Sequence, residues 1–448
     1  MRRYSYIIGV LALFLASCQN DTIVTPDQEN LDVTLTKILD GASPTGDLNY
    51  FKMPDAQDFS KIPQDPKNPL TKEKVALGAF LFHETAISLD AKEPTEMGKF
   101  SCSSCHHVDA GFQAGTFQGI GEGGSGFGNR GEGRSPHSPD ATIDVQPLRS
   151  PSAMNGAYQP NQLWNGQFGA THLNEGTSAQ WTVGTPIETN NLGYEGLEIQ
   201  AIAGLGVHRM KIDGNIINIA YYKSLFDDAF PDVPESIRYT REFAGLAIAA
   251  YERTILSNKA PFQQYLRGQK SAMTDDEKKG AILFFSKANC NQCHTGPALN
   301  SMQFNAIGMD DLFKCPEPVI NTKAGDPANL GRGSFTKNPA DNYKFKVPQL
   351  YNLLDSPFYG HGSSLRSIRS VIEYKNKAIP QNSDVPTSQL DKHFVPLGLT
   401  NEEVTAIEKF ISRGLYDSDL RRYVPTRLPS GQCFPNNDLQ SKIDTDCF

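Results

Sequence analysis

The amino-acid sequence predicts a mainly α-helical protein with long loops, built from two similar halves. Few segments alternate polar and apolar residues as half-buried strands do, whereas apolar residues recur at helical spacing in several places. Two passages also resemble each other: Gly78-Ala-Phe-Leu-Phe leads to Cys102-Ser-Ser-Cys-His106, and Gly280-Ala-Ile-Leu-Phe leads to Cys290-Asn-Gln-Cys-His294. This similarity indicates an internal duplication in which each half carries one cysteine motif.

The N-terminus has the pattern of a bacterial export signal. A basic start precedes an apolar run from Tyr6 to Ala16, which is too short to span a bilayer permanently. The run ends in Leu-Ala-Ser-Cys18, which is typical of a lipoprotein cleavage site. We therefore expect a signal peptide at 1–17 and a lipid on Cys18; the alternative is an ordinary signal peptide in which this cysteine is incidental.

The rest of the chain is expected to divide into four segments. Residues 18–69, rich in Asp, Asn, Pro and Thr, are predicted to be a tether between membrane and fold. The first half should occupy 70–265 and the second 266–428, with a tail at 429–448. The formal charge is -8 without a long basic run, so nucleic acid is not expected as a partner. No second apolar stretch reaches spanning length, so a lipid would be the only anchor.

Helices are predicted at four places. One precedes each cysteine motif, with its apolar residues at helical spacing, and should deliver the motif at its end: Val75, Phe80 and Leu81 in the first half, Ile282 and Phe285 in the second. A core helix from Phe243 to Ile255 should join the halves. Another should begin after Thr400, whose side chain can cap an acidic first turn.

The stretch 115–133 is rich in glycine and is predicted to be a loop. Gly119, Gly121 and Gly124 match the spacing of a dinucleotide-binding motif. No strand precedes them and no helical pattern follows, so a dinucleotide site is not expected.

The two C-x-x-C-H motifs predict two covalently attached c-type haems. In such a motif two thiols add to the two vinyl groups of one porphyrin, and the adjacent histidine becomes the proximal iron ligand. Cys102, Cys105 and His106 would hold the first haem, and the second would be held by Cys290, Cys293 and His294. Zinc is disfavoured because the pairs lie 188 residues apart, and a thioredoxin-like dithiol is disfavoured because no βαβ pattern surrounds either motif.

Three cysteines remain after the anchor and haem cysteines are set aside: Cys315, Cys433 and Cys447. Export makes a disulfide plausible. Cys433 with Cys447 would close a short loop worth about 3 kcal/mol, but the sequence leaves the pairing open.

Beyond the haem motifs, ordered segments from about Leu77 to Tyr416 resemble the di-haem bacterial cytochrome c peroxidases and their MauG-type relatives. The segments are Arg149-Ser-Pro-Ser, Leu163-Trp-Asn-Gly, Thr185-Pro-Ile-Glu, Ala250-Tyr-Glu-Arg-Thr, Phe345-Lys-Val-Pro and Pro396-Leu-Gly-Leu-Thr-Asn-Glu-Glu. The resemblance implies two cytochrome c-like domains, with peroxide reacting at the N-terminal haem and electrons passing from the C-terminal one. Trp164 matches the family's tryptophan between the haems; the alternative is an ordinary core tryptophan.

The chain departs from the family pattern around the first haem. Where many peroxidases have a distal histidine, it has Glu122, which is a poor substitute for a displaceable ligand, so the iron is expected to be open to substrate. The acidic residue of the family's distal pocket falls on Asn191, which cannot shuttle a proton. Glu188 and Glu195 are the nearby carboxylates that could act as acid or base, unless they are solvated loop charges.

A third departure concerns the second haem. One alignment places Tyr374 where the family has its Met or Tyr iron ligand, and another places Lys375 there. We favour Tyr374, because tyrosinate is an attested haem ligand that lowers the potential. The family also binds calcium near positions matching Asp355 and Pro357, but a contributing Asn aligns with Ser150, so calcium is left open.

The resemblance implies a peroxidase that reduces hydrogen peroxide with electrons from cytochrome c or a similar small redox protein. The N-terminal pattern leads us to expect it in the periplasm, anchored by lipid to a bacterial membrane. One alternative is a MauG-type oxidase of another protein or an organic substrate, towards which Tyr374 and the missing distal histidine lean. Another is an electron carrier without catalysis, which the Asn191 position permits. A homodimer is left open.

Overall fold

The computed structural model of the chain describes residues 26–126, 133–135 and 138–447. The predicted signal peptide and Cys18 lie outside the described residues. Within the described ranges, no helix is long and apolar enough to cross a membrane.

The secondary structure is mostly helical, as predicted. The α-helices of the described residues are α1 (Pro26–Ala42), α2 (Lys72–His83), α3 (Cys102–Cys105), α4 (Gly196–Val207), α5 (Gly214–Ile217), α6 (Ala220–Ala229), α7 (Glu235–Arg238), α8 (Arg241–Thr254), α9 (Pro261–Leu266), α10 (Asp275–Phe284), α11 (Arg332–Thr336), α12 (Ile368–Lys377), α13 (Asn401–Lys409) and α14 (Leu439–Asp444). Short 3-10 turns and loops connect them.

Among the described residues, four two-residue strands form two antiparallel pairs. β1 (Gly124–Ser125) pairs with β2 (Gly133–Arg134), and β3 (Phe304–Asn305) pairs with β4 (Phe345–Lys346). Gly124 lies opposite Arg134, and Phe304 lies opposite Lys346. Residues 115–126 of the glycine-rich stretch are therefore loop apart from β1, Gly133 lies in β2, and residues 127–132 lie outside the described residues.

The duplicated passages form equivalent helix crossings. α2 packs on α8 at Gly78, where an added Cβ would clash with the carbonyl of Ala247. α10 packs on α13 at Gly280, where an added Cβ would clash with the carbonyl of Ala406. Only glycine permits backbones to approach this closely, which explains why both passages begin with glycine.

The predicted helix ends are confirmed where capping signals were present. The Thr400 side chain accepts from the Glu403 amide while the Glu403 carboxylate accepts from the Thr400 amide, and α13 starts there. The core helix predicted from Phe243 to Ile255 is α8, which is buried along nearly all its length.

The helix before the motif delivers the cysteines at its end only in the second half. α10 ends at Phe284, and Cys290 follows after a short turn. In the first half α2 ends at His83, residues 84–101 intervene, and the cysteines lie on the separate helix α3. The expectation that α2 carries its motif is thus wrong.

Residues 26–69 are not a loose tether as predicted. Leu35 and Leu39 of α1 are fully buried, four residues apart on one helix face. Asp32 forms an ion pair with the buried Lys278 of α10, with 2.9 Å between the Lys Nζ and the carboxylate. Further along, the backbone of Phe51 accepts a hydrogen bond from the buried Gln263 side chain. These few apolar positions suffice to dock a segment whose overall composition is polar.

Residues 429–447 of the tail pack against the first cysteine motif. Cys433 and Cys447 form a disulfide with their Cα atoms 5.9 Å apart, and Cys315 is free. The hydroxyl of Ser101, just before Cys102, donates to the carbonyl of Pro435 at 2.8 Å. Of the pairings that the sequence left open, the one between Cys433 and Cys447, which closes a short loop in the tail, is therefore the one present.

Candidate haem sites

The second cysteine motif opens into an apolar cavity of about 540 Å³, within the range of small-molecule and cofactor sites. Cys290, Cys293 and His294 line it, and both thiols are free. The Nδ1 of His294 donates to the carbonyls of Leu299 and Pro348, each at 3.1 Å. A ring that donates through Nδ1 keeps the Nε2 lone pair available to a metal.

The first motif opens into a smaller cavity of about 260 Å³. Cys102, Cys105 and His106 line it, and the Nδ1 of His106 is 3.3 Å from the carbonyl of Phe112. A Cβ added to Gly119 would lie 3.1 Å from the Sγ of Cys105. This glycine therefore keeps the loop close to the thiol that a haem would use.

Burial sets the charge of both motifs. It raises the pKa of the Cys102 and Cys290 thiols to about 12, and it lowers the pKa of the His106 and His294 imidazoles to about 4. The imidazoles are neutral at neutral pH, as iron coordination requires. Cysteine thiols that form no disulfide, oriented imidazoles and apolar walls fit one c-type haem in each cavity.

Trp164 lies between the two cavities and lines both. Its Nε1 donates to the carbonyl of Arg149 at 2.8 Å, and its ring lies 6.3 Å from that of His361, centroid to centroid. Arg149, Pro151, Ser152 and Leu163 are the other residues that line both cavities. Trp164 therefore separates the two cavities, and its place between two haems stays a prediction.

The structure does not support Glu122 as a group that faces substrate. Its carboxylate is buried, pairs with Arg209, and accepts from the amides of Lys92 at 3.0 Å and Glu93 at 2.7 Å. Glu122 is not among the residues that line the first cavity. Within residues 119–122, Gly119 and Gly121 are the ones at the cavity wall.

Glu188 and Asn191 are also not brought to the first cavity. They lie on a 3-10 turn in a largely exposed loop, where Glu188 accepts from the amide of Gly184 at 2.7 Å. The Asn191 side chain donates to the Glu188 carbonyl. Pro186 is the residue of this turn that reaches the wall. Glu195 instead forms an ion pair with Arg253.

The preference for Tyr374 over Lys375 is not supported either. Lys375 lines the second cavity, whereas Tyr374 does not and is almost fully buried outside it. The Tyr374 hydroxyl donates to the carbonyl of Ile307 at 2.5 Å.

No group of three or more His, Cys, Asp or Glu side chains among the described residues could hold a metal ion. The Asp355 carboxylate accepts from the Asn352 side chain at 3.0 Å. The buried guanidinium of Arg149 donates a hydrogen bond to the hydroxyl of Ser356, which precedes Pro357. Ser150 is also buried. Calcium held through backbone carbonyls stays a prediction.

Two acidic groups of the first cavity were missed by sequence reasoning. The Asp144 carboxylate is 2.7 Å from the Nδ1 of His208, which follows α4. Glu252, on α8, has one carboxylate oxygen without a hydrogen-bond partner among the described residues, and burial raises its pKa to about 8. Asp144 had no sequence signal, because it and His208 lie 64 residues apart and meet only through packing. Glu252 lies in the segment Ala250-Tyr-Glu-Arg-Thr, which was read only as a mark of the resemblance and not as part of a site.

Comparisons with known proteins find di-haem relatives of this chain. Residues 72–271 match the family model described as di-haem cytochrome c peroxidase. The methylamine utilization protein MauG of Methylorubrum extorquens is 27% identical over 366 residues, covering 81% of this chain and 81% of that protein. Cytochrome-c peroxidase IdrP1 of Denitromonas iodatirespirans is 28% identical over 379 residues, covering 80% and 86% respectively.

The fold is shared with solved structures. A MauG-like protein associated with microbial copper homeostasis has a TM-score of 0.58 and 22% identity, over 82% of this chain and 95% of that one. With two haem motifs in separate cavities, a family model that matches residues 72–271 and relatives along four-fifths of its length, the chain is a relative of the di-haem cytochrome c peroxidases and MauG-type proteins.

Proposed function

We propose that the chain is a di-haem c-type peroxidase that reduces hydrogen peroxide to water with electrons from a cytochrome c-like donor. The observation that carries this proposal is Trp164, which lines both cavities. Reducing one peroxide to two waters consumes two electrons and two protons. A cytochrome donor supplies electrons singly, so two redox centres joined by a short packed path suit the reaction.

Each half of the chain has its own part in the proposal. Residues 70–265 would form the peroxide-reacting domain and residues 266–428 the electron-receiving domain, as the family resemblance implies. When bound, each c-type haem supplies an iron that exchanges electrons. The cysteines hold it covalently, and the Nδ1 hydrogen bonds of His106 and His294 fix the rings that face it.

The proton at the first cavity is assigned to His208. Its side chain lines the cavity; burial opposes its charge, but the Asp144 carboxylate outweighs burial and raises the pKa of the imidazole. A raised pKa keeps the imidazole protonated to higher pH than a free histidine, and a protonated imidazole can donate a proton to a peroxide oxygen. Asp144 holds the ring in place while it does so.

The proposed location follows from the sequence pattern. We propose a periplasmic protein held at a membrane by a lipid on Cys18, so that its donor is a periplasmic or membrane-attached redox protein. Detergent-phase partitioning that is lost in Cys18→Ala supports the anchor, and partitioning unchanged in that variant contradicts it.

A MauG-type oxidase is the second candidate. The loop at residues 119–122 carries no histidine, and Glu122 is turned into a buried ion pair, so no side chain of this loop blocks the first cavity. Such an open site suits oxidation of another protein or an organic molecule by electron withdrawal through Trp164.

Steady-state kinetics of the di-haem protein with reduced cytochrome c and peroxide tests the proposal. We expect peroxide-dependent oxidation of the cytochrome, lost when both cysteines of either motif are replaced by serine. Cys315→Ser is the matched control, because this free thiol lies outside both cavities and should leave turnover unchanged. Electron uptake without peroxide consumption would indicate a carrier, and peroxide reactivity without cytochrome oxidation would favour the MauG-type alternative.

A further inference from the structure

Helix α12 presents one face to the second cavity. Ile368, Val371, Ile372 and Lys375 all line the cavity, at positions i, i+3, i+4 and i+7 of the helix. Residues at this spacing share one side of a helix. Three apolar side chains and one amine therefore point at the space that a haem would fill.

Tyr374 lies on a different side of α12 and is already bound. Its hydroxyl donates to the Ile307 carbonyl, and its ring packs against Phe394 with centroids 5.3 Å apart. Binding iron would require breaking a buried hydrogen bond and leaving the carbonyl without its donor, which is costly.

Lys375 has no comparable partner. Its Nζ lies 5.0 Å from the centroid of the Phe394 ring, and no ion pair among the described residues includes it. Asp391 is near enough to influence its charge but does not pair with it. A lysine amine enclosed in an apolar cavity without an acceptor is unfavourable unless the cavity's occupant supplies one.

The position of Lys375 in the cavity also bears on whether its amine would bind the haem iron or pair with the haem carboxylates. Lys375 lines the same cavity as Cys290 and Cys293 and is close enough for its charge to act on both thiols, so the amine lies on the side of the cavity where the thioethers would form. The carboxylate groups of a haem lie on the opposite edge of the porphyrin from the attached vinyl groups. An ion pair with those carboxylates is therefore disfavoured.

From this geometry we infer that Lys375, not Tyr374, supplies the sixth iron ligand of the second haem, opposite His294. The inference rests on the proposed function, which places a haem in this cavity. The amine would bind through its nitrogen lone pair and release its proton to solvent. An amine is a harder donor than a Met thioether, so the second haem should have a lower reduction potential than a His/Met haem.

Electron paramagnetic resonance and absorption spectra of the oxidised di-haem protein test the inference. We expect Lys375→Ala to convert the low-spin signal of the second haem to high-spin. Tyr374→Phe is the matched control on the adjacent position and should leave that signal unchanged. Lys375→Met should restore a low-spin haem with a higher potential, because Met ligation raises it.

If the variants do not retain the haem, a measurement on the unaltered protein still tests the inference. Protein grown with ¹⁵N-lysine should show a strong hyperfine coupling from a lysine nitrogen at a low-spin ferric haem. Absence of that coupling, or a low-spin signal that persists in Lys375→Ala, overturns the inference. Failure of the proposed function is distinguishable, because protein without a covalent second haem would give no such signal in any variant.

Discussion

Glu122 illustrates how burial decides what a carboxylate can do. In the sequence it follows Ile120-Gly121, at the place of the family's distal histidine, yet in the fold it turns away from the cavity to Arg209 and two backbone amides. A buried carboxylate with three donors is a structural anchor for the loop. Its counterpart Glu188, in an exposed loop, has no such role.

Glu122→Gln is expected to destabilise the protein without changing its reaction with peroxide. The change leaves the Arg209 charge without its buried partner, which should lower the free energy of unfolding by about 3 kcal/mol. Glu188→Gln should change stability by less than about 0.5 kcal/mol. Urea unfolding of both variants checks this; loss of peroxide reactivity at full stability in Glu122→Gln would restore a catalytic role.

Trp164→Phe should slow electron transfer between the cavities. The change removes the indole that lines both cavities and its hydrogen bond to the Arg149 carbonyl. A barrier higher by about 1.4 kcal/mol would slow transfer about tenfold. Rapid-mixing spectroscopy of the half-reduced protein measures the rate of this electron transfer. Trp181, the other tryptophan, lines neither cavity, so Trp181→Phe should leave the rate of electron transfer unchanged.

At the scale of elements, the two helix crossings are the clearest trace of the duplication. α2 with α8 and α10 with α13 each depend on a glycine at which the partner's carbonyl occupies the space of a side chain. Both crossings lie beside a haem motif, so the fit of the helices also sets the shape of each cavity.

Gly78→Ala and Gly280→Ala should each lower the free energy of unfolding by about 1–3 kcal/mol, because the added methyl forces the helices apart. The matched control is Gly41→Ala in α1, where no atom lies within 4 Å of the added Cβ. It should be neutral or stabilising by up to about 1 kcal/mol. Equal effects at all three glycines would show that the crossings are less tight than the structure indicates.

The docking of α1 is tested by a pair of substitutions in one helix. Leu39→Ala removes a fully buried side chain and should cost about 2–5 kcal/mol of unfolding free energy. Val33→Ala changes a side chain that is 63% exposed and should cost less than about 0.5 kcal/mol. A free tether would make both substitutions silent in denaturant unfolding.

At the scale of the whole molecule, the two motifs should act independently in holding haem. Mass spectrometry of protein from a host with haem-attachment machinery should show two covalent haems. Replacing both cysteines of one motif with serine should leave one haem, because the cavities have separate thiols and separate histidines. Cys315→Ser should keep both. Fewer than two haems on the unaltered protein would contradict the assignment of both sites.

The parts of this protein that the sequence determined by itself are those set by local chemistry. A C-x-x-C-H motif brings two thiols and an imidazole together within one turn, Thr400 caps the helix that follows it, and the apolar spacing of α8 marks a buried helix. These features depend on neighbours along the chain, so spacing and residue type are sufficient to predict them.

Only the tertiary structure decided which side chains reach the cavities. Tyr374 and Lys375 are adjacent in sequence, but about 100° of helical rotation separates them, and one bonds a carbonyl while the other lines the cavity. Asp144 meets His208 across 64 positions, and α1 finds its partner α10 more than 200 residues away. Such contacts arise from packing between distant segments, for which a single sequence carries no local pattern.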